Sequence, residues 1–233
     1  PDEAEAFFAK ASELISRWAI DEAMLWADSD ESTRERPDEL RLVLHSPYLP
    51  QKAVRVGVVA AAHGCRAVRL VSDPRTGTEI VSVVGFPSEL CWVDTLVTSL
   101  MVQLTSAMLA RRPAGMTASG SASWRRSFII GFAEEVGQRL EADRATAAAE
   151  HDASARGGGA GGVAAAAEAA STALVLASRQ DDVDDELRRR HPHLRSSYAS
   201  SGRSAEGRRH GRAAGREASI GRRGLGARGA LGR

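Results

Sequence analysis

Arg125, Arg126 and Ser127 open a segment whose apolar residues repeat at helical spacing, and Ser99 and Gln103 lie one turn apart on another. Two guanidinium groups beside a helix N-terminus can grip an anion through paired N–H donors, and a hydroxyl and an amide can complete the pocket. The same side chains serve equally well as ion-pair partners of Glu89 or Glu134 and as hydrogen-bond partners of backbone where helices cross. A small-anion binder, or an enzyme of unknown reaction built on that site, is therefore the alternative reading. The first reading rests on residues 188–233, which hold thirteen arginines and two glutamates. Arg208, Arg209, Arg212, Arg216, Arg222 and Arg223 are the expected contacts to nucleic-acid phosphates, an attraction that weakens with salt. Tyr198 is the one Phe, Trp or Tyr there, so base reading by stacking is not expected. A third use of these charges is neutralisation of the acidic residues 181–186, within the chain or between chains.

Several common chemistries lack their motif. Neither Lys10 nor Lys52 follows a glycine, which removes the Gly-Lys phosphate loop, and H-E-x-x-H and G-x-S-x-G do not occur. His191 and His193 form an H-x-H pair beyond an acidic run, but the run lacks the glycine and terminal glutamate of a calcium loop. No metal and no cofactor is expected. His63, before Gly64, reads as a ring capping a helix C-terminus, where a cation is favoured. His45 reads as a surface residue at a strand end. Cys65 and Cys91 have no paired spacing and read as buried structural thiols.

The net charge of +1 hides a partition. Residues 1–50 carry −7, 51–150 carry +2, 151–187 carry −5 and 188–233 carry +11. Two cysteines without a framework fit a reducing compartment. No cationic start followed by an apolar run and a cleavage site occurs. Residues 95–110 are too few and too polar for a bilayer span, which takes about 20 apolar residues. They read as a core helix, and the chain as a cytoplasmic protein with no membrane segment.

The elements that would position these residues follow from periodicity. Phe7, Ala11, Leu14, Ile15 and Trp18 share a helical face within residues 2–27. Residues 28–39, charged and containing Pro37, read as a linker. Leu40, Leu42 and Leu44 alternate as in a half-buried strand. Ser46 and Pro47 read as the cap and first turn of a helix that stops at Gly64. Residues 65–71 and 78–86 are β-branched runs separated by Asp73-Pro74-Arg75-Thr76-Gly77, a hairpin signature. Ser88 then caps a helix with the stripe Leu90, Val93, Val97, Leu100, Leu104 and Met108. Trp124, Phe128, Phe132, Val136 and Leu140 mark a further helix over residues 123–149. The glycines within 150–162 read as a flexible linker. Residues 163–190 read as an Ala-rich, then acidic helix, and residues 191–233 as a disordered Arg/Gly-rich tail.

The run Pro1-Asp-Glu-Ala-Glu-Ala-Phe-Phe-Ala-Lys-Ala-Ser-Glu-Leu14 with Arg17-Trp-Ala-Ile-Asp21 resembles the second half of the helical domain catalogued as "domain of unknown function" DUF 2786. Pro47-Tyr48, residues 56–65, Val84-Gly85-Phe86, residues 98–103 and residues 124–132 are similar to the α+β domain that follows it in that family. Gly211-Arg-Ala-Ala-Gly215-Arg-Glu-Ala218 is similar to the family's Gly/Ala/Arg ending. The resemblance places a first helix before Pro1 and implies no activity.

The expected fold is therefore α+β. Residues 1–27 are a partial helical domain, 28–39 a linker and 40–149 a β-α-β-β-α-α domain with a three-stranded sheet. A Gly-rich linker (150–162), a helix (163–190) and the tail (191–233) follow. The expected role is a non-enzymatic, nucleic-acid-associated or interaction module acting through that tail.

Overall fold

The computed structural model describes residues 17–30, 32–157, 162–195 and 199–220. The apolar residues Phe7, Ala11, Leu14 and Ile15 lie outside them, as do residues 158–161, Tyr198, Arg222 and Arg223.

The sheet is three antiparallel strands in the order β1-β3-β2, with β1 at Asp38–His45, β2 at Arg66–Asp73 and β3 at Thr78–Gly85. The hairpin between β2 and β3 turns where proline and glycine predict it. Gly77 has φ 63° and its N–H donates to Asp73 O (2.9 Å), while Asp73 Oδ1 accepts from Arg75 N–H (2.8 Å). Helix α2, Leu49–Ala62, connects β1 to β2, and β3 pairs between them. Its start differs from the expected one. Tyr48, in the left-handed region at φ 68°, is the cap, and Pro50 rather than Pro47 stands in the first turn.

Helix α3, Pro87–Ala110, is capped at Phe86 rather than Ser88, with Pro87 at its first position. Its expected stripe is buried at Leu90, Val93, Val97, Leu100 and Leu104, joined by Leu96, while Met108 is half-buried. Helix α4, Ala118–Gly157, outruns its expected span at both ends. Buried Trp124, Phe128, Phe132, Val136 and Leu140 pack with Val56 and Val59 of α2, Val81 and Val83 of β3 and the α3 stripe in one core. Gly137 of α4 leaves the space that Val58 of α2 fills.

The opposite sheet face carries a second, smaller core: Val84 and Phe86, Trp26 from helix α1 (residues 17–28), and Val183 of α5, Gly162–Arg190. Here the expected domain divisions give way. Residues 28–39 are held rather than loose: Trp26 Nε1 donates to Glu35 O (3.0 Å), and Arg34, stacked over the Trp26 ring, donates to Ala27 O (2.7 Å). Helix α5 is no free appendage, because it lies on the sheet. Arg179, 5% exposed, stacks 3.8 Å from the Phe86 ring centroid and donates to Glu89 Oε1 (2.6 Å), and Arg66 of β2 grips Asp184 at 2.7 and 3.1 Å. An apolar-rich sheet with two faces needs two covering layers, and α5 with α1 is the second.

The largest departure is in the tail. Residues Ala205–Glu217 are not disordered but form helix α6, packed along α4. Ser204 caps it, its hydroxyl accepting from Gly207 N–H (3.0 Å). Gly207, Gly211 and Gly215 recur every fourth residue and so face one way. A Cβ at Gly211 would lie 2.1 Å from Phe128 O, and one at Gly131 of α4 would lie 2.3 Å from Arg208 O. The glycines let two backbones touch, so a composition that reads as disorder is here a packing surface. Gly211→Ala is expected to lower stability by about 1–3 kcal/mol, as overpacking does. Gly57→Ala, where the new methyl meets nothing within 4 Å, is expected to raise it by about 0.5–1 kcal/mol. Urea denaturation of both variants measures this, and equal effects would contradict the close crossing.

His63 does end α2, as its C-cap residue, but it is not a cation there. Burial, with Arg144 nearby, pushes its ring down to about 4, and Arg144 of α4 supplies the charge instead, donating to Ala62 O (3.3 Å). A folded-state pKa below the unfolded value means that the stability tied to neutral His63 is complete above about pH 6.5 and is lost as pH falls toward 4. His63→Gln is expected to remove up to about 1.4 kcal/mol per pH unit of that dependence, read from denaturation midpoints between pH 7 and 4.

Candidate nucleic-acid interface

The sequence brings Arg125, Arg126, Ser127, Ser99 and Gln103 forward as one pocket, and the structure separates them. Ser127 Oγ donates to Ser201 O (3.0 Å) and accepts from Ser204 N–H (3.1 Å), holding the chain as it enters α6. Gln103 holds the chain as it leaves: its Nε2 donates to Ser219 O (2.9 Å) and its Oε1 accepts from Ser219 N–H (2.7 Å). Gln103 Nε2 also meets Ser99 Oγ at 3.2 Å. The two groups grip opposite ends of a 13-residue helix, about 20 Å apart at 1.5 Å per residue. They form a pair of clamps rather than an anion pocket. Glu89 and Glu134, the expected partners of Arg125 and Arg126, are taken by Arg179 and by Arg208 and Arg212. Among the described residues Arg125 and Arg126, both half-buried, make no ion pair.

Between the clamps α6 presents its arginines. Arg208 reaches Glu134 through two nitrogens, Nε at 3.0 Å, and Arg212 reaches the same carboxylate at 3.0 Å. Burial pushes the Glu134 carboxyl up, but hydrogen bonds from Arg208 and Arg212 outweigh it and hold the group below the usual carboxylate range. Arg216 lies 3.8 Å from Glu135. Arg209 and Arg203 are exposed and without a carboxylate partner among the described residues. The expected phosphate contacts thus divide. Arg208, Arg212 and Arg216 are tied to α4, Arg209 faces solvent, and Arg222 and Arg223 lie outside the described residues.

Residues that the sequence reading passed over complete the surface. Arg139 of α4 donates from Nη1 to Gly215 O and Ala218 O, both at 2.7 Å, which places a cation at the C-terminus of α6. His210 meets the Trp124 ring edge-on at 6.0 Å. The fourfold glycine spacing and the Ser204–Glu206 start were the available signals for α6.

Two other polar groupings were also missed. Ser82 Oγ donates to Glu39 Oε1 (2.6 Å) and stands 3.2 Å from His191 Nε2. Arg190 also reaches Glu39, at 3.5 Å, and Asp38, at 3.0 Å. A nucleophilic serine needs its acid on the far ring nitrogen of the histidine. Here the carboxylate takes the serine proton directly, so the group pins the end of α5 to β1 and β3. Arg55 of α2, fully buried, touches Met101 Sδ (2.8 Å), while its Nε and Nη1 have no partner and burial lowers its pKa to about 10. The thiols divide, Cys65 buried as expected and Cys91 exposed on α3. No group of three His, Cys, Asp or Glu side chains gathers among the described residues.

Compared with protein-family models, curated proteins and solved structures, the chain matches none.

If Gln103 is a clamp, Gln103→Ala orphans the Ser219 backbone groups and is expected to cost about 1–3 kcal/mol. Arg126→Ala is expected to stay within about 0.5 kcal/mol. Thermal denaturation of the two variants checks this, and a neutral Gln103→Ala would return Gln103 to the list of ligand-binding residues.

Proposed function

We propose that this chain is a non-enzymatic interaction module whose docked α6 offers an arginine surface to nucleic-acid phosphates. One observation supports the reading above the rest. Five arginines, Arg203, Arg208, Arg209, Arg212 and Arg216, stand exposed on or beside α6, against four nearby carboxylates, Glu134, Glu135, Glu206 and Glu217, the last of which pairs with Arg111. Arg208, Arg212 and Arg216 recur every fourth residue, about 6 Å apart along the helix. That is close to the rise along the duplex axis of two phosphates on one DNA strand, about 3.4 Å each.

Exposed ion pairs are worth about 0–1 kcal/mol each, so a phosphate can replace Glu134 or Glu135 at small cost. Contacts of this kind position a protein on a backbone and carry no base sequence. The resemblance to DUF 2786 brings no activity with it and does not enter the choice.

The test is fluorescence anisotropy with a labelled DNA duplex. Three to five phosphate contacts imply that binding weakens about 40- to 500-fold between 50 and 200 mM salt. Combined Arg203→Ala, Arg209→Ala and Arg212→Ala substitution is expected to flatten that slope, and Glu134→Gln, which frees Arg208 and Arg212, to strengthen binding. Absence of binding at 50 mM salt, or an unchanged slope in the triple variant, rules the reading out.

A further inference from the structure

Helix α3 has one face in the core, and its other face raises the question of what covers it. Cys91, Thr95, Thr98, Val102, Thr105 and Leu109 are all exposed, Val102 and Leu109 at 65% each. Their spacing alternates between four and three residues, the 3.5-residue repeat of a helix that pairs with another helix. None is charged. Two of the three threonines also hide their polarity, because Thr95 Oγ1 donates to Cys91 O (3.0 Å) and Thr105 Oγ1 to Met101 O (2.8 Å). Such bonds back to the helix turn the methyl group outward. By length and composition α3 is the one described helix long and apolar enough to cross a membrane, and 28% of its most apolar stretch is buried.

We propose that this face is a self-association surface on which a second copy of the chain packs its own α3 in antiparallel orientation. Charge complementarity selects the occupant and the orientation. Asp94 is exposed on one flank of the stripe near its N-terminal end, and Arg112 is exposed two residues past the end of the helix. Arg112 has left the helix and stands 18 residues beyond Asp94, about 27 Å at 1.5 Å per residue. Among the described residues neither makes an ion pair. In an antiparallel pair, a two-fold axis level with Val102 and Gln103 sets each Asp94 at the height of the Arg112 of the other copy. The stripe then meets itself, Val102 near Val102 and Leu109 near Thr95. A two-fold interface must be self-complementary in this way. A parallel two-fold pair would set the two Asp94 side chains at one level on opposite sides of the stripe, with both Arg112 about 27 Å away. The helix has 24 residues, about 36 Å of contact length, which is enough for a small interface of two helices.

Sedimentation velocity of the full chain from 1 to 100 μM provides the test. A reversible dimer is expected. Val102→Glu with Leu109→Glu, at positions open to solvent, is expected to yield a folded monomer with an unchanged circular-dichroism melt. Asp94→Arg alone and Arg112→Asp alone are each expected to weaken the dimer about tenfold, two symmetry-related pairs being lost in each case. The double swap Asp94→Arg with Arg112→Asp is expected to restore it. Three results overturn the proposal. They are a monomer at 100 μM, a dimer indifferent to the two glutamates, and single charge swaps that the double swap fails to repair. A wild type that stays monomeric but co-sediments with phosphatidylcholine vesicles assigns the face to lipid and overturns it as well.

Discussion

The central strand β3 is buried on both of its faces, and most of the architecture follows from that constraint. Alternation sends Val81 and Val83 to one side and Ser82 and Val84 to the other, and all four are closed off from solvent. Helices α2, α3 and α4 cover the first side. The second would lie open if the chain ended with α4, so α5 returns across it and α1 supplies Trp26. The seam of that layer is partly ionic, with Arg179 on Glu89 and Arg66 on Asp184. Buried ions tolerate such a seam only when each has a partner, because an unpaired one carries the full cost of lost hydration. Glu79, 2% exposed, satisfies the condition through Arg69 on the neighbouring strand.

Helix α6 obeys a different rule. A helix with three glycines in its 13 residues should be poor on propensity alone, at about 1 kcal/mol per glycine relative to alanine. Close backbone contact with α4 offsets that loss: a Cβ added at Gly207, Gly211 or Gly215 would come within 3 Å of an α4 atom. Polar clamps then hold both ends: Ser127 at the entrance, and Gln103 with Arg139 at the exit. The outer face remains free for arginine. One feature of the chain therefore has two consequences, since alternating glycine with arginine puts the small residues inward and the charges outward.

How much of this could be read from the sequence depended on whether a pattern was local. The 3.6-residue periodicity of α3 and α4 and the turn Asp73–Gly77 are written in neighbouring residues, and the turn and the buried faces stand where expected, although α4 runs further at both ends. The same holds for the α+β class and the three strands. Caps were misplaced by two residues at α2 and α3, because a proline satisfies the first turn without saying which residue precedes it. The tail was misread for a physical reason: glycine and arginine together fail the usual test of a buriable composition, and only the partner surface on α4 makes the glycine spacing meaningful. The supposed pocket failed in the same way. Ser99 does meet Gln103 one turn away, but the other partners of Gln103 and those of Ser127 are backbone groups 116 and 74 to 77 residues away, beyond the reach of local spacing.

The composition of α3 calls for its own cause. At the chain-wide 26% share of charged residues a 24-residue helix would carry about six, whereas α3 carries two, Glu89 and Asp94, and none after position 94. Core packing accounts for one face only, and the helices that share that core show that the other need not follow: α4 places Glu134, Arg139, Glu141 and Asp143 around its buried stripe. Nor does a general shortage of charge explain it, for residues 179–190 of α5 carry nine charged side chains. A solvent-facing surface from which charge is missing over four turns, with an acid at one end and a base just past the other, has the form of a contact surface. Its threonines, bonded back to the helix, extend that surface rather than interrupt it.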